Sequence, residues 1–205
     1  MKKTVSFFLS FVLLLSAVFC VPGFSASAAV YKPDRKLYSQ AYMLLSLDDP
    51  SFPVVAEKNQ DKRMYPASLT KIVTTMVVLN KVKDLSQKTK VSQSAYDAVL
   101  GTGAQTAGLK VGESLTIEQL LYLTMVHSAC DACHVLAEFV SGSTDAFVAE
   151  MNRRAASLGM NNTHFVTPSG LDAEEHYSTA YDMALLAREA LKNPDFLEIC
   201  SQTSM

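Results

Sequence analysis

The sequence predicts an α/β domain with helices packed around an antiparallel sheet, on three observations. Two apolar runs, "AYMLLSL" and "FPVVAEKN", flank the turn-forming "DDPS" and read as a β-hairpin. From Pro66 to Asn193 a succession of longer apolar segments shows no strand-like alternation and carries helix start and stop signals. A composition of 49% hydrophobic and 19% charged residues over 205 positions supports one sizeable core and argues against disorder. A lone hairpin is marginal in water, so the sheet requires further strands.

The first residues are set apart from that fold. Met1-Lys2-Lys3 is a basic start, Val5 to Val21 is almost uninterruptedly apolar, and the small residues Ala26, Ser27 and Ala28 follow Pro22-Gly23. This pattern predicts a signal peptide over 1–28, cleaved after Ala28, in preference to a retained membrane anchor, and an exported, extracytoplasmic domain over 29–205. Cys20 follows the bulky Phe19 and reads as a core residue of the signal, not as a lipidation site. Without Lys2 and Lys3 the formal charge goes from −2 to −4, which leaves no basic excess for nucleic acid. Cys130, Cys133 and Cys200 remain, an odd number that does not describe a disulfide framework.

Along the domain, "PASLTKIVTTMVVLNKV" has the β-branched content of a strand, but its length and its Pro66 start favour a helix buried nearly all round. "GTGAQTAGLKVGES" fails both phosphate-loop templates and reads as a loop. Thr116 and Gln119 form a capping-box pair ahead of "IEQLLYLTMV". A helix fits Asp131 to Val140, and another fits "TDAFVAEMNRRAASLG" with Gly159 as its stop. "THFVTPSGL" reads as strand or extended chain entering a turn. Thr179 and Asp182 cap "AYDMALLAREAL", which Asn193-Pro194 closes.

The chemistry centres on a lysine where a core residue is expected. Lys71 follows Ser68 by three positions, so the two side chains share a helix face near an N-terminus that favours negative charge. Burial disfavours the ammonium form, and a neutral amine beside a serine can take its proton. A serine that caps and a lysine that snorkels would show the same spacing. The surrounding phrases decide between them. "YPASLTKI", "AGLKVGESLTIEQLLY", "MNRRAASLGMNNTHFVTPSGLD" and "HYSTAYDMALLAREAL" resemble the low-molecular-weight D-alanyl-D-alanine carboxypeptidases of the penicillin-binding proteins (peptidase S11), over nearly all of residues 38 to 200.

That resemblance implies a serine β-lactamase/transpeptidase-like fold and removal of the terminal D-alanine from peptidoglycan stem peptides, with β-lactam antibiotics as inhibitors and no cofactor or metal. Ser68 would be the nucleophile, Lys71 its base, and Ser128 in "HSACDA" the relay of a proton to the leaving amine. Cys130 stands where the family has asparagine, a substrate-binding position at which a thiol cannot replace a carboxamide. The family's Lys-Thr/Ser-Gly motif is absent from the sequence, and the expectation is a chain incomplete at the C-terminus. Sheet strands would then be missing, solubility poor, and activity weak or nil, since one lost oxyanion donor alone costs about 2.7 to 4 kcal/mol.

Two other classes stay in view: a β-lactamase-type hydrolase, which needs a carboxylate to activate the deacylating water, and an inactive or acylation-only remnant. The C-x-x-C of Cys130 and Cys133 reads as two buried thiols before it reads as a redox or metal motif. His127 and His134 find no further ligand pair for zinc. Ser178 and Thr179 near His176 read as capping residues, and Asp172 as a turn residue.

Overall fold

The structure, a computed structural model, describes residues 36–47, 51 and 53–202. The signal segment 1–28 and most of the "DDPS" turn lie outside the described residues. The two flanking strands are present: β1 (Tyr42–Leu45) pairs antiparallel with β2 (Val54–Lys58), from Tyr42 opposite Lys58 to Leu45 opposite Val54. A second antiparallel pair, β3 (Lys88–Lys90) with β4 (Ser114–Thr116), was not legible in the sequence. Each strand is only three residues long, too short to show alternation, and Ser114 lies at the end of the segment read as a loop. Among the described residues the two pairs form separate sheets.

The core is built around α1 (Thr70–Lys81), in which nine consecutive or near-consecutive residues from Thr70 to Leu79 are buried. Its threonines and valines are poor helix formers, so tertiary burial and not propensity holds this helix. It packs against α3 (Ile117–Met125), α4 (Cys130–Ser141), α5 (Thr144–Ser157), α6 (Ala180–Ala190) and α7 (Pro194–Ser201). The short α2 (Gln93–Asp97) lies against α4, and α6 covers β1. Phe147, Phe165, Leu120, Leu121 and Leu136 fill the space between these helices without exposure.

The caps follow the sequence closely. Thr116 and Gln119 make both bonds of the capping box on α3, and Thr179 Oγ1 accepts from Asp182 N at 3.0 Å to start α6, but the Asp182 carboxylate turns to Asn162 N and Thr163 Oγ1 and does not cap the helix. The α4 helix stops at Gly142, whose φ of +78° ends it in the left-handed region. Asn193-Pro194 does more than close α6. Asn193 Oδ1 accepts from Phe196 N at 3.1 Å and Pro194 occupies the first turn of α7, so the same two residues end one helix and begin the next.

Candidate active site

Three segments converge on Lys71: the turn before α1, the turn between α3 and α4, and the irregular stretch 160–179. Ser68 sits in a single 3-10 turn (Ala67–Leu69) led by the buried Pro66, immediately before the regular helix that carries Lys71. Its side chain is open to solvent, whereas Lys71 is 2% exposed. Lys71 Nζ has three partners: it donates to Ser169 O at 2.7 Å and to Ser68 Oγ at 3.2 Å, and approaches Cys130 Sγ at 3.6 Å. Ser128 Oγ donates to Ser68 Oγ at 2.8 Å. The structure thus brings Ser68, Lys71, Ser128 and Cys130 into one cluster.

Backbone strain marks the same cluster. Among the described residues three non-glycine positions have φ between +40° and +60°, and two of them, Ala67 at +48° and Ser128 at +56°, stand beside and within this site. Each such residue costs about 1 kcal/mol or more, so the surrounding packing must hold it there. Gly170 supplies part of that packing. A Cβ on it would lie 1.9 Å from Ala67 O and 2.5 Å from Ala67 C, so only glycine lets the 160–179 stretch press this closely on the turn that carries Ser68.

That stretch is fastened to a polar face of α1. Thr74 Oγ1 donates to Pro168 O at 2.6 Å, one residue before the carbonyl that takes Lys71. His176 Nδ1 accepts from Val166 N at 3.0 Å and Thr167 N at 3.3 Å, which leaves the proton on Nε2 to be donated to Thr70 Oγ1 at 2.9 Å. Burial first, and His164 second, hold the His176 pKa down to about 4 against the pull of Asp172. The ring is therefore neutral, a structural tie and not an acid-base group. Ser178 pairs backbone with Met64, Thr179 caps α6 as expected, and Asp172 is an exposed residue of the connecting turn.

On the other side, α4 begins at Cys130. Its sulfur faces Lys71 at 3.6 Å and lies 3.9 Å from Ser128 O, and the residue is 7% exposed. Cys133 is fully buried, and burial pushes its thiol up to about 12. Asp131 is a positioning residue that sequence reasoning missed. It is 3% exposed, and its carboxylate accepts from Ala107 N, Leu109 N and Ala132 N, each at 3.0 Å, which ties the glycine-bearing loop to the turn that holds Ser128. An acidic residue in the first turn of a helix was the available signal. His127 is exposed and His134 turns to Thr144 Oγ1; among the described residues no three His, Cys, Asp or Glu side chains gather as a metal site.

Residues 27–205 match the model of the peptidase S11 family, D-alanyl-D-alanine carboxypeptidase. The chain belongs to this family. It is 38% identical over 173 residues to the carboxypeptidase DacF of Bacillus subtilis, covering 82% of this chain and 44% of DacF. To DacA of Escherichia coli K12 it is 37% identical over 161 residues, covering 76% and 40%. The crystal structure of DacD from Francisella tularensis superposes with a TM-score of 0.75 at 36% identity, over 83% of this chain and 41% of that one. A D-alanyl-D-alanine carboxypeptidase from Mycobacterium tuberculosis gives 0.77 at 33% identity, over 86% and 65%. The fold is thus that of the D,D-peptidases, and the chain spans less than half the length of the curated S11 relatives DacF and DacA.

Proposed function

We propose that this S11 chain is a serine-type D-alanyl-D-alanine carboxypeptidase whose acyl-enzyme forms on Ser68. The observation that carries this reading is the placement of Ser68 Oγ at 3.2 Å from Lys71 Nζ and 2.8 Å from Ser128 Oγ, at or near the reach of general acid-base transfer. Lys71, as the free amine, takes the Ser68 proton while Oγ attacks the carbonyl of the penultimate D-alanine. Negative charge develops beside the α1 N-terminus, where the helix dipole favours it. As the C–N bond breaks, Ser128 gives its proton to the leaving amine and receives the one Lys71 took, so D-alanine departs and the Lys71 amine is free again. Water then attacks the ester, Lys71 takes its proton, and that proton returns to the freed Ser68 Oγ.

The substrate class is a peptidoglycan stem peptide ending in D-Ala-D-Ala, and β-lactams acylate the same serine. Export supports this reading: the basic and apolar start of the sequence suits a signal peptide over 1–28, placing the domain 29–205 on the outer side of the membrane, where such peptides are. Among the described residues no helix is long and apolar enough to cross a membrane.

Intact-mass spectrometry after incubation with a penicillin tests the proposal, with Ser68→Ala as control. A single penicilloyl adduct on the parent and none on the variant is expected. A folded parent chain that stays unmodified at millimolar penicillin would overturn the reading that Ser68, Lys71 and Ser128 form an acylating centre.

A further inference from the structure

The C-x-x-C of Cys130 and Cys133 lies where the proposed mechanism leaves it unused, and its placement is specific. Cys130 is the first residue of α4 and Cys133 the fourth, so both sulfurs belong to the opening turn of a helix. Both point back along it: Cys130 Sγ lies 3.9 Å from Ser128 O, and Cys133 Sγ donates to Ala129 O at 3.3 Å. The two thiols therefore gather around two successive carbonyls, with Lys71 Nζ at 3.6 Å from the first sulfur.

We infer that Cys130 and Cys133 form a reversible disulfide that draws the Cys130 sulfur away from Lys71 and so throttles acylation at Ser68. The consequence for acylation rests on the function proposed above; the bond itself does not. Residues three apart on a helix have Cβ atoms about 5–6 Å apart. A disulfide spans about 3.5–4.5 Å between Cβ atoms, so the opening turn must tighten by about an ångström. The N-cap Ala129 makes no side-chain bond, so this tightening works against the backbone bonds from Ala129 N to Leu123 O at 3.0 Å and from Cys130 N to Gln105 O at 2.8 Å.

The two sulfurs have unequal roles. Cys130 opens α4 with Lys71 Nζ 3.6 Å from its sulfur, at the edge of the site that faces Ser68. Its 7% exposure admits a small reagent, whereas Cys133 has none. Burial also keeps the Cys133 thiol protonated, as suits a resolving partner that reacts second. The oxidant is a small-molecule disulfide. The Cys130 thiolate attacks one of its sulfurs, forming a mixed disulfide and releasing one thiol. Cys133 then gives up its proton and attacks Cys130 Sγ, expelling the second thiol. Two protein thiols and one reagent disulfide become one protein disulfide and two reagent thiols, so two electrons pass to the reagent. An oxidising, extracytoplasmic compartment would populate the closed form.

Oxidation removes one of the three partners of the Lys71 amine and pulls on the turn that carries Ser128, two residues before Cys130. Loss of one hydrogen bond is worth up to roughly tenfold, so acylation should slow by about that factor.

The test treats the full chain with oxidised glutathione, maps its peptides by mass spectrometry, and follows labelling of Ser68 by a fluorescent penicillin before and after dithiothreitol. The peptide holding Cys130 and Cys133 should lose two hydrogens, labelling should slow about tenfold, and reductant should restore both. Cys133→Ala and, as a better-packed alternative, Cys133→Val should lose no two hydrogens in this peptide and should stop at a glutathione adduct on Cys130, the mixed disulfide that Cys133 would have resolved. Exposed Cys200 reports that the oxidant has acted. A glutathionylated Cys200 beside an intact Cys130 and Cys133 pair overturns the switch, as does a disulfide form that labels at the reduced rate. If neither form labels, the acylation reading fails and so does the throttling; peptide mapping still decides the bond.

Discussion

Two walls of the site hold Lys71, and they are built from opposite materials. The α1 wall is a helix buried by apolar contacts on nearly every side, with Val73, Val77 and Val78 at 0 to 6% exposure. The 160–179 wall has little regular structure, contributing single bridges at His164 and Tyr177 and at Ser178 with Met64. What fastens it to α1 is polar: Thr70 to His176, Lys71 to Ser169 O, Thr74 to Pro168 O. The first wall is secured by area removed from water, which tolerates small changes of shape. The second is anchored in the core by Met160 and Phe165, but its 166–176 part rests on a few directional bonds and one point of backbone contact, so single atoms should decide whether that part stays in place.

The most damaging way to test that difference is Gly170→Ala. The added methyl would meet Ala67 O at 1.9 Å, and the residue would have to hold φ near +83°. The left-handed conformation costs about 1–2 kcal/mol, and the enforced overpacking adds about 1–3 kcal/mol. A loss of about 3 kcal/mol or more in urea unfolding is expected, together with loss of penicillin acylation, because the shift is delivered straight to the nucleophile turn. A variant of parental stability and labelling rate would show that the close approach is not what positions Ser68.

Lys71→Met sharpens the comparison from the other wall. Methionine fills similar space without a polar head group, so it leaves no unpaired group of its own in the core. Against that stands the orphaned Ser169 carbonyl, which costs about 1–3 kcal/mol. Unfolding free energy is therefore expected within about 2 kcal/mol of the parent, while acylation by penicillin falls by about a hundredfold or more. Unfolding of the variant at room temperature would mean that the lysine is a structural tie between the walls as much as a base.

The same contrast explains what could be read in advance. The α1 helix, its serine-lysine spacing and the caps at Thr116 and Thr179 were legible because helix periodicity and capping are local properties of sequence. The bonds from Thr70, Lys71 and Thr74 to residues 94 to 106 positions away were not, since nothing local marks a threonine as the partner of a distant carbonyl. Gly170 reads as a turn glycine in "PSGL", and only the fold shows that the constraint is Ala67. The β3 and β4 strands and α7 were hidden by brevity and by a proline that serves two helices. At Cys130 the sequence showed a departure from the family's pattern, and the structure adds its neighbours: Lys71 in front and Cys133 one turn behind.

The smallest expected effect is on acid stability, and it isolates the polar wall. The His176 ring titrates near 6.5 when the chain is unfolded and at about 4 when it is folded, mainly because it is buried. Between those values the unfolded chain binds the proton and the folded chain does not, so stability rises with pH across this window. The contribution is complete above 6.5 and is lost as pH falls through about 4. Protonation would give Nδ1 a hydrogen facing the Val166 and Thr167 amides that it now accepts from, so the folded chain should loosen first at 166–176. Urea unfolding of the parent and of His176→Gln at intervals from pH 7 to pH 4 measures this. The variant is expected to be less stable at pH 7, with the gap closing as pH falls. Parallel curves would assign the acid sensitivity elsewhere, and hydrogen exchange at 166–176 that stays unchanged in acid would show that the wall is held by its other two bonds.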